Sequence, residues 1–126
     1  MTPFKRGEVV LLPFPYTDQS GSKRRPAVIV SATDYNSRRP DLIVAPITSN
    51  VSTGQADDIP IHDWAPAGLL KPSVVKGILG TVEQALVIRR MGNFSATDFT
   101  NVEKSFARTL GMTGHTTNAS PPGVVK

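Results

Sequence analysis

The stretch from Gly7 to Ser31, GEVVLLPFPYTDQSGSKRRPAVIVS, constrains the fold of this chain more than any other. Two apolar, β-branched runs flank a loop rich in Pro, Gly and Ser, which is the pattern of two strands joined by a long turn. The loop ends in three consecutive cations, Lys23, Arg24 and Arg25, directly before Pro26, where the second run begins. A strand entrance holds a side chain more firmly than a free loop does. An arginine held there, with a planar fork of donors that fits phosphate oxygens, is a candidate anion grip. The alternative is a surface arginine paired with an acid such as Asp18.

The rest of the chain continues the β pattern. Ala27–Ser31 and Leu42–Ala45 are almost entirely apolar, as strands covered on both faces are. Asp58–Ile61 contains Pro60 and reads as an edge strand. Val74–Ile78 and Thr81–Arg89 complete the set, with Gly80 at a turn or bulge between them. Closely spaced short strands predict a small sandwich or barrel. One helix is expected. Ser95 is its N-cap, Asp98 lies in its first turn, and Phe99, Val102, Phe106 and Leu110 recur on one face before Gly111 ends it. Thr33–Asn36 and Asp63–Ala67 fit single helical turns. Residues 1–112 are read as one domain and 113–126, which lack any periodic apolar pattern, as a disordered tail.

Composition narrows the chemistry. With no cysteine among 126 residues, disulfides, thiolate nucleophiles and Cys-ligated zinc are excluded. His62 and His115 are too far apart in sequence to suggest a metal site, and no metal or cofactor is expected. No 18-residue apolar run or signal-peptide pattern is present, and a cytoplasmic location is expected. The formal charge is only +4, but Lys5, Arg6, Lys23, Arg24, Arg25, Arg38 and Arg39 crowd the first third. That placement suits a polyanion partner and equally suits an ordinary solvated face.

Other polar positions deserve the same weighing. Thr48 and Ser49 end the Leu42 run; their hydroxyls suit a phosphate oxygen or a turn cap. Whether Thr48 and Arg25 share a rim depends on strand register, which is not encoded locally. Ser73 and Lys76 in KPSVVK flank a strand start and fit the same rim. Tyr16 is the aromatic most exposed for base stacking, whereas Phe14 is expected in the core. His62 beside Asp63 is a poor acid–base pair, because neighbours on a strand point to opposite faces.

GEVVLLPFPYTD, GSKRRPAVIVS, PITSN and LLKPSVVK together resemble the MazF/PemK family of toxin endoribonucleases over roughly Lys5–Leu110. The resemblance implies a mainly β fold, a small SH3-like barrel of the CcdB/MazF kind with a C-terminal helix on the sheet, forming a homodimer. It implies metal-independent cleavage of single-stranded RNA at short sequences, growth inhibition, and an antitoxin whose acidic flexible segment covers the RNA groove. It sets Arg25 and Thr48 as catalytic residues, with Tyr16, Lys23, Arg24, Ser49, Ser73 and Lys76 as RNA contacts. Some members carry a glutamate in the loop before the arginine; this chain has Gln19 and Ser20 there, so a mechanism needing that glutamate does not carry over. The alternative is a non-catalytic barrel that binds nucleic acid or blocks a protein such as a topoisomerase.

Overall fold

The structure is a computed structural model and describes residues 2–14, 23–51 and 56–112. Among the described residues, seven strands and two helices run in the order β1 (Glu8–Phe14), β2 (Lys23–Ile29), α1 (Thr33–Arg38), β3 (Asp41–Thr48), β4 (Ile59–Ile61), β5 (Ser73–Val75), β6 (Gly80–Glu83), β7 (Arg89–Asn93) and α2 (Ala96–Thr109). The strands form a curled, mainly antiparallel sheet ordered β4-β5-β3-β2-β1-β7, and β6 pairs with β3. The fold is thus mainly β, a half-barrel with one long C-terminal helix.

β3 is the strand on which the curl turns. Its inner edge pairs with β2. Its outer edge pairs with β6 over Asp41–Val44 and then with β5 at Ile47 and Thr48. Pro46 lies at the change of partner. It has no N–H to offer, and its carbonyl accepts from Lys76 N at 2.8 Å.

The β2 and β3 runs are buried on both faces, as their continuous apolar character predicts. Val28, Ala45 and Ile47 belong to one core, with Val9, Ile61, Val75 and the α2 residues Val102 and Phe106. Ala27, Ile29, Leu42 and Val44 belong to the other, with Leu12, Phe14 and Val82. Alternating side chains feed the two cores from the same strands. Burying Val102 and Phe106 contributes about 1.5–3 kcal/mol each.

α2 begins as expected: Ser95 Oγ accepts from Asp98 N at 3.2 Å. Asp98 also reaches beyond the helix. Its buried carboxylate accepts from the backbone N–H of His62 at 3.0 Å and of Asp63 at 2.8 Å, which ties the end of β4 to the first turn of α2. Arg6 is a second tie. Its guanidinium donates to Val30 O at 2.5 Å, pairs with Glu103 at 2.7 Å and lies over the Phe99 ring.

Several boundaries differ from the sequence expectation. β2 starts at Lys23, so Arg25 lies inside a strand, opposite Leu12, rather than at its entrance. Thr81–Arg89 is not one strand. A 3-10 turn at Gln84–Leu86 breaks it, held by Gln84 Nε2, which donates to Asn36 O at 2.7 Å and Arg39 O at 2.9 Å. Asp63–Ala67 forms hydrogen-bonded turns, closed by Gly68 N to Ala65 O and Leu69 N to Trp64 O. Leu110 leaves the apolar stripe as the helix C-cap and is exposed; Gly111 follows with φ +74°. The expected tail, 113–126, falls outside the described residues, as do Tyr16 and His115. Among the described residues no helix is long and apolar enough to cross a membrane, and no group of three or more His, Asp or Glu is placed to hold a metal ion.

Candidate nucleic-acid interface

β2 and β3 pair through Ile29–Val44, Val28–Ala45 and Ala27–Pro46, and there the ladder ends. Proline chemistry accounts for the end. Pro46 has no N–H to give β2, and its carbonyl accepts from Lys76 N, just past β5. The next rung would set Pro26 against Ile47, and Pro26 has no N–H to give. Continuing the register past the break sets Arg25 opposite Thr48 and Arg24 opposite Ser49.

The strands part into a cleft of about 320 Å³ lined by all four residues, together with Pro26, Ile47, Leu69, Leu70, Lys71, Ser73 and Met91. The cleft joins four segments of the chain, residues 24–26, 47–49, 69–73 and 91. Its charged lining residues, Arg24, Arg25 and Lys71, are all cations.

Arg25 is half-buried, and its Nε is buried with no hydrogen-bond partner. An unmatched buried donor costs about 1–3 kcal/mol, and more on a charged group. Thr48 Oγ1 accepts from Asn50 N at 3.1 Å. That bond orients the hydroxyl and leaves its hydrogen available to donate. A guanidinium and a hydroxyl facing one gap form a pair of donors suited to a phosphate's non-bridging oxygens.

The other expected contacts divide. Arg24, Ser49 and Ser73 line the cleft, although Ser73 Oγ is occupied, donating to Lys71 O at 2.9 Å and holding the turn into β5. Lys23 is exposed at the start of β2 and does not line the cleft. Lys76 points elsewhere: its Nζ lies 3.0 Å from the buried Asp58 Oδ1 and donates to Oδ2 at 3.1 Å. His62 contributes a backbone amide, and its ring is exposed away from the cleft. Lys71 and the apolar residues Leu69, Leu70 and Met91 were not anticipated as site residues. The only local signal was the LLKPS motif, with a cation and a proline directly after two leucines.

These features define a small curled β-sheet protein with a cationic cleft at a parted strand pair. A profile described as PemK-like, MazF-like toxin of type II toxin–antitoxin system matches residues 5–110, and the chain belongs to that family. Solved structures share the fold. A MazE–MazF complex from Deinococcus radiodurans is 22% identical, with a TM-score of 0.70 over 90% of this chain and 100% of that one. A Mycobacterium tuberculosis toxin, MazF-mt6, is 23% identical, with a TM-score of 0.64 over 82% and 97%. An endoribonuclease in complex with its cognate antitoxin, from a mycobacterial species, is 19% identical, with a TM-score of 0.68 over 89% and 97%. No curated protein sequence matches the chain.

Proposed function

We propose that this protein is the toxin of a type II toxin–antitoxin pair, a metal-independent endoribonuclease that cuts single-stranded RNA at short sequences and so arrests translation and growth. The reading is carried by one observation: Arg25 and Thr48, from strands whose pairing ends at Ala27–Pro46, line one cationic cleft. Family membership supports the same reading.

RNA brings its own nucleophile, so the protein has only to position and stabilise. The 2′-hydroxyl loses its proton and its oxygen bonds to phosphorus. The bond from phosphorus to the 5′ oxygen breaks, and that oxygen takes up a proton. The products are a 2′,3′-cyclic phosphate and a 5′-hydroxyl. Arg25 holds the non-bridging oxygens as charge builds on them, and Thr48 donates one further hydrogen bond. Arg24, Lys71 and Ser49 hold the flanking backbone, with Lys23 attracting it from the strand start. The working form is a homodimer in the cytoplasm, and an antitoxin with an acidic flexible segment silences it by occupying the same cationic cleft.

Digestion of mixed-sequence RNA in EDTA, with end mapping of the fragments, tests this. Cleavage leaving cyclic-phosphate ends is expected, and Arg25→Ala should slow it about 10²–10³-fold. Binding without products would instead favour a non-catalytic barrel module, and undiminished cutting by Arg25→Ala would displace the site.

A further inference from the structure

Most of the cleft's purpose is not explained by a phosphate. Beside the cations stands an apolar wall of Pro26, Leu69, Leu70 and Met91. Leu70 is the extreme case: 92% exposed, it is the most exposed large apolar side chain among the described residues.

Its mounting is rigid. Leu69, the residue before it, is buried in the core that α2 covers. Gly68 has φ +85°, and a Cβ there would come within 2.2 Å of Met91 O, so the turn is pressed against β7. The bonds from Gly68 N to Ala65 O and from Leu69 N to Trp64 O close it. The backbone therefore presents Leu70 in a fixed place on the cleft rim, where it adds nothing to the core.

A phosphate needs donors only. An apolar surface in the same small space matches a flat, apolar face close to that phosphate, and in a nucleic acid the group with such a face is the base carried on the adjoining sugar. We propose that Leu70 packs on the nucleobase next to the phosphate held at Arg25, and that it thereby sets which bases are accepted beside the cut. The inference rests on reading the cleft as an RNA site. Leu70 is a specificity-determining residue and takes no part in bond making.

The test uses the whole protein and the variants Leu70→Ala and Leu70→Trp. One probe is a mixed-sequence single strand lacking 2′-hydroxyls, which cannot be cut; the other is an abasic strand of equal length and charge. The base-bearing strand should quench the added tryptophan, relative to the Trp64 background, and the abasic strand should not. Leu70→Ala should melt as the unmodified protein does, bind the base-bearing strand about tenfold more weakly, and redistribute the mapped cut sites on RNA. Equal quenching by both strands, unchanged affinity and cut sites in Leu70→Ala, or a changed oligomeric state in that variant, would each overturn the assignment. Cutting without a tryptophan response removes the Leu70 assignment and leaves the nuclease. A base-dependent response without cutting does the reverse, and neither response removes both.

Discussion

Arg25 of β2 and Thr48 of β3 line one cleft that opens where the pairing of their strands ends, two residues beyond Ala27–Pro46. The last paired rung, Ala27–Pro46, contains one proline and adjoins another, Pro26, and the residues beyond it line a cleft. The geometry of the fork and the direction of the hydroxyl should therefore both matter. Arg25→Lys keeps the charge and loses the planar fork, and should cut RNA at least about tenfold more slowly. Thr48→Ser should stay near the unmodified rate, whereas Thr48→Val should lose about 10–100-fold. Single-turnover cleavage of one mapped site measures this; equal rates for Thr48→Val and Thr48→Ser would remove Thr48 from the mechanism.

Asp98 accepts two backbone N–H bonds from outside its own helix, at His62 and Asp63. Asp98→Ala leaves both amides without their carboxylate and should destabilise the fold by about 2–4 kcal/mol. Asp98→Asn keeps one accepting oxygen and should cost roughly half as much. Urea unfolding gives both values, and a loss under about 0.5 kcal/mol for Asp98→Ala would show that the tie is dispensable.

Acid sensitivity is expected at Asp41. Its carboxylate accepts from Tyr35 Oη at 2.7 Å and Arg39 Nε at 2.9 Å. The Tyr35 hydrogen bond, followed by that of Arg39, holds its pKa below the ordinary carboxylate value. The charged form is thus favoured by folding, and the stability it adds is present above the unfolded pKa and is lost as pH falls through the lower folded pKa. Tyr35 moves the opposite way. Its hydrogen bond to Asp41 keeps the phenol protonated to higher pH, and its contribution is lost as pH rises through that raised value. In an NMR titration of the Asp41 carboxyl carbon, Tyr35→Phe should move the midpoint up toward the ordinary carboxylate value. An unmoved midpoint would mean the phenol does not hold the carboxylate.

Gly68→Ala combines a left-handed backbone with a Cβ inside contact distance of Met91 O. A loss of more than about 2 kcal/mol is expected, together with displacement of Leu69, Leu70 and Lys71. Thermal melting reads the first effect, and tryptophan emission from the half-buried Trp64 in the same turn reads the second. A melting temperature within about 2 °C of the unmodified protein would show that the turn relaxes freely.

What was legible in the sequence was local. The continuous apolar runs at Ala27 and Leu42 read as strands buried on both faces, because alternation is absent where two cores share a strand. The α2 start was legible because Ser95 and Asp98 sit within one turn of each other. What was hidden depended on partners distant in sequence. That Arg25 and Thr48 share a cleft follows from how β2 and β3 pair, which neither segment encodes alone. The break at Gln84 follows from carbonyls of Asn36 and Arg39, over forty residues away. The second role of Asp98 lies in His62 and Asp63 of a different element, and Lys76 left the expected rim because Asp58 holds it.

The change of partner along β3 has a further consequence for how such a protein can vary. The half of the strand paired with β6 lies among core side chains, while the half paired with β5 ends in Ile47, Thr48 and Ser49 at the cleft. Substitutions at Thr48 and Ser49 can therefore retune the cleft without removing a core side chain, whereas a change at Ile47 would reach the packing of Ala45 and Val28. One strand thus carries a length held by the core and an end, at Thr48, that can vary without renegotiating how the chain folds.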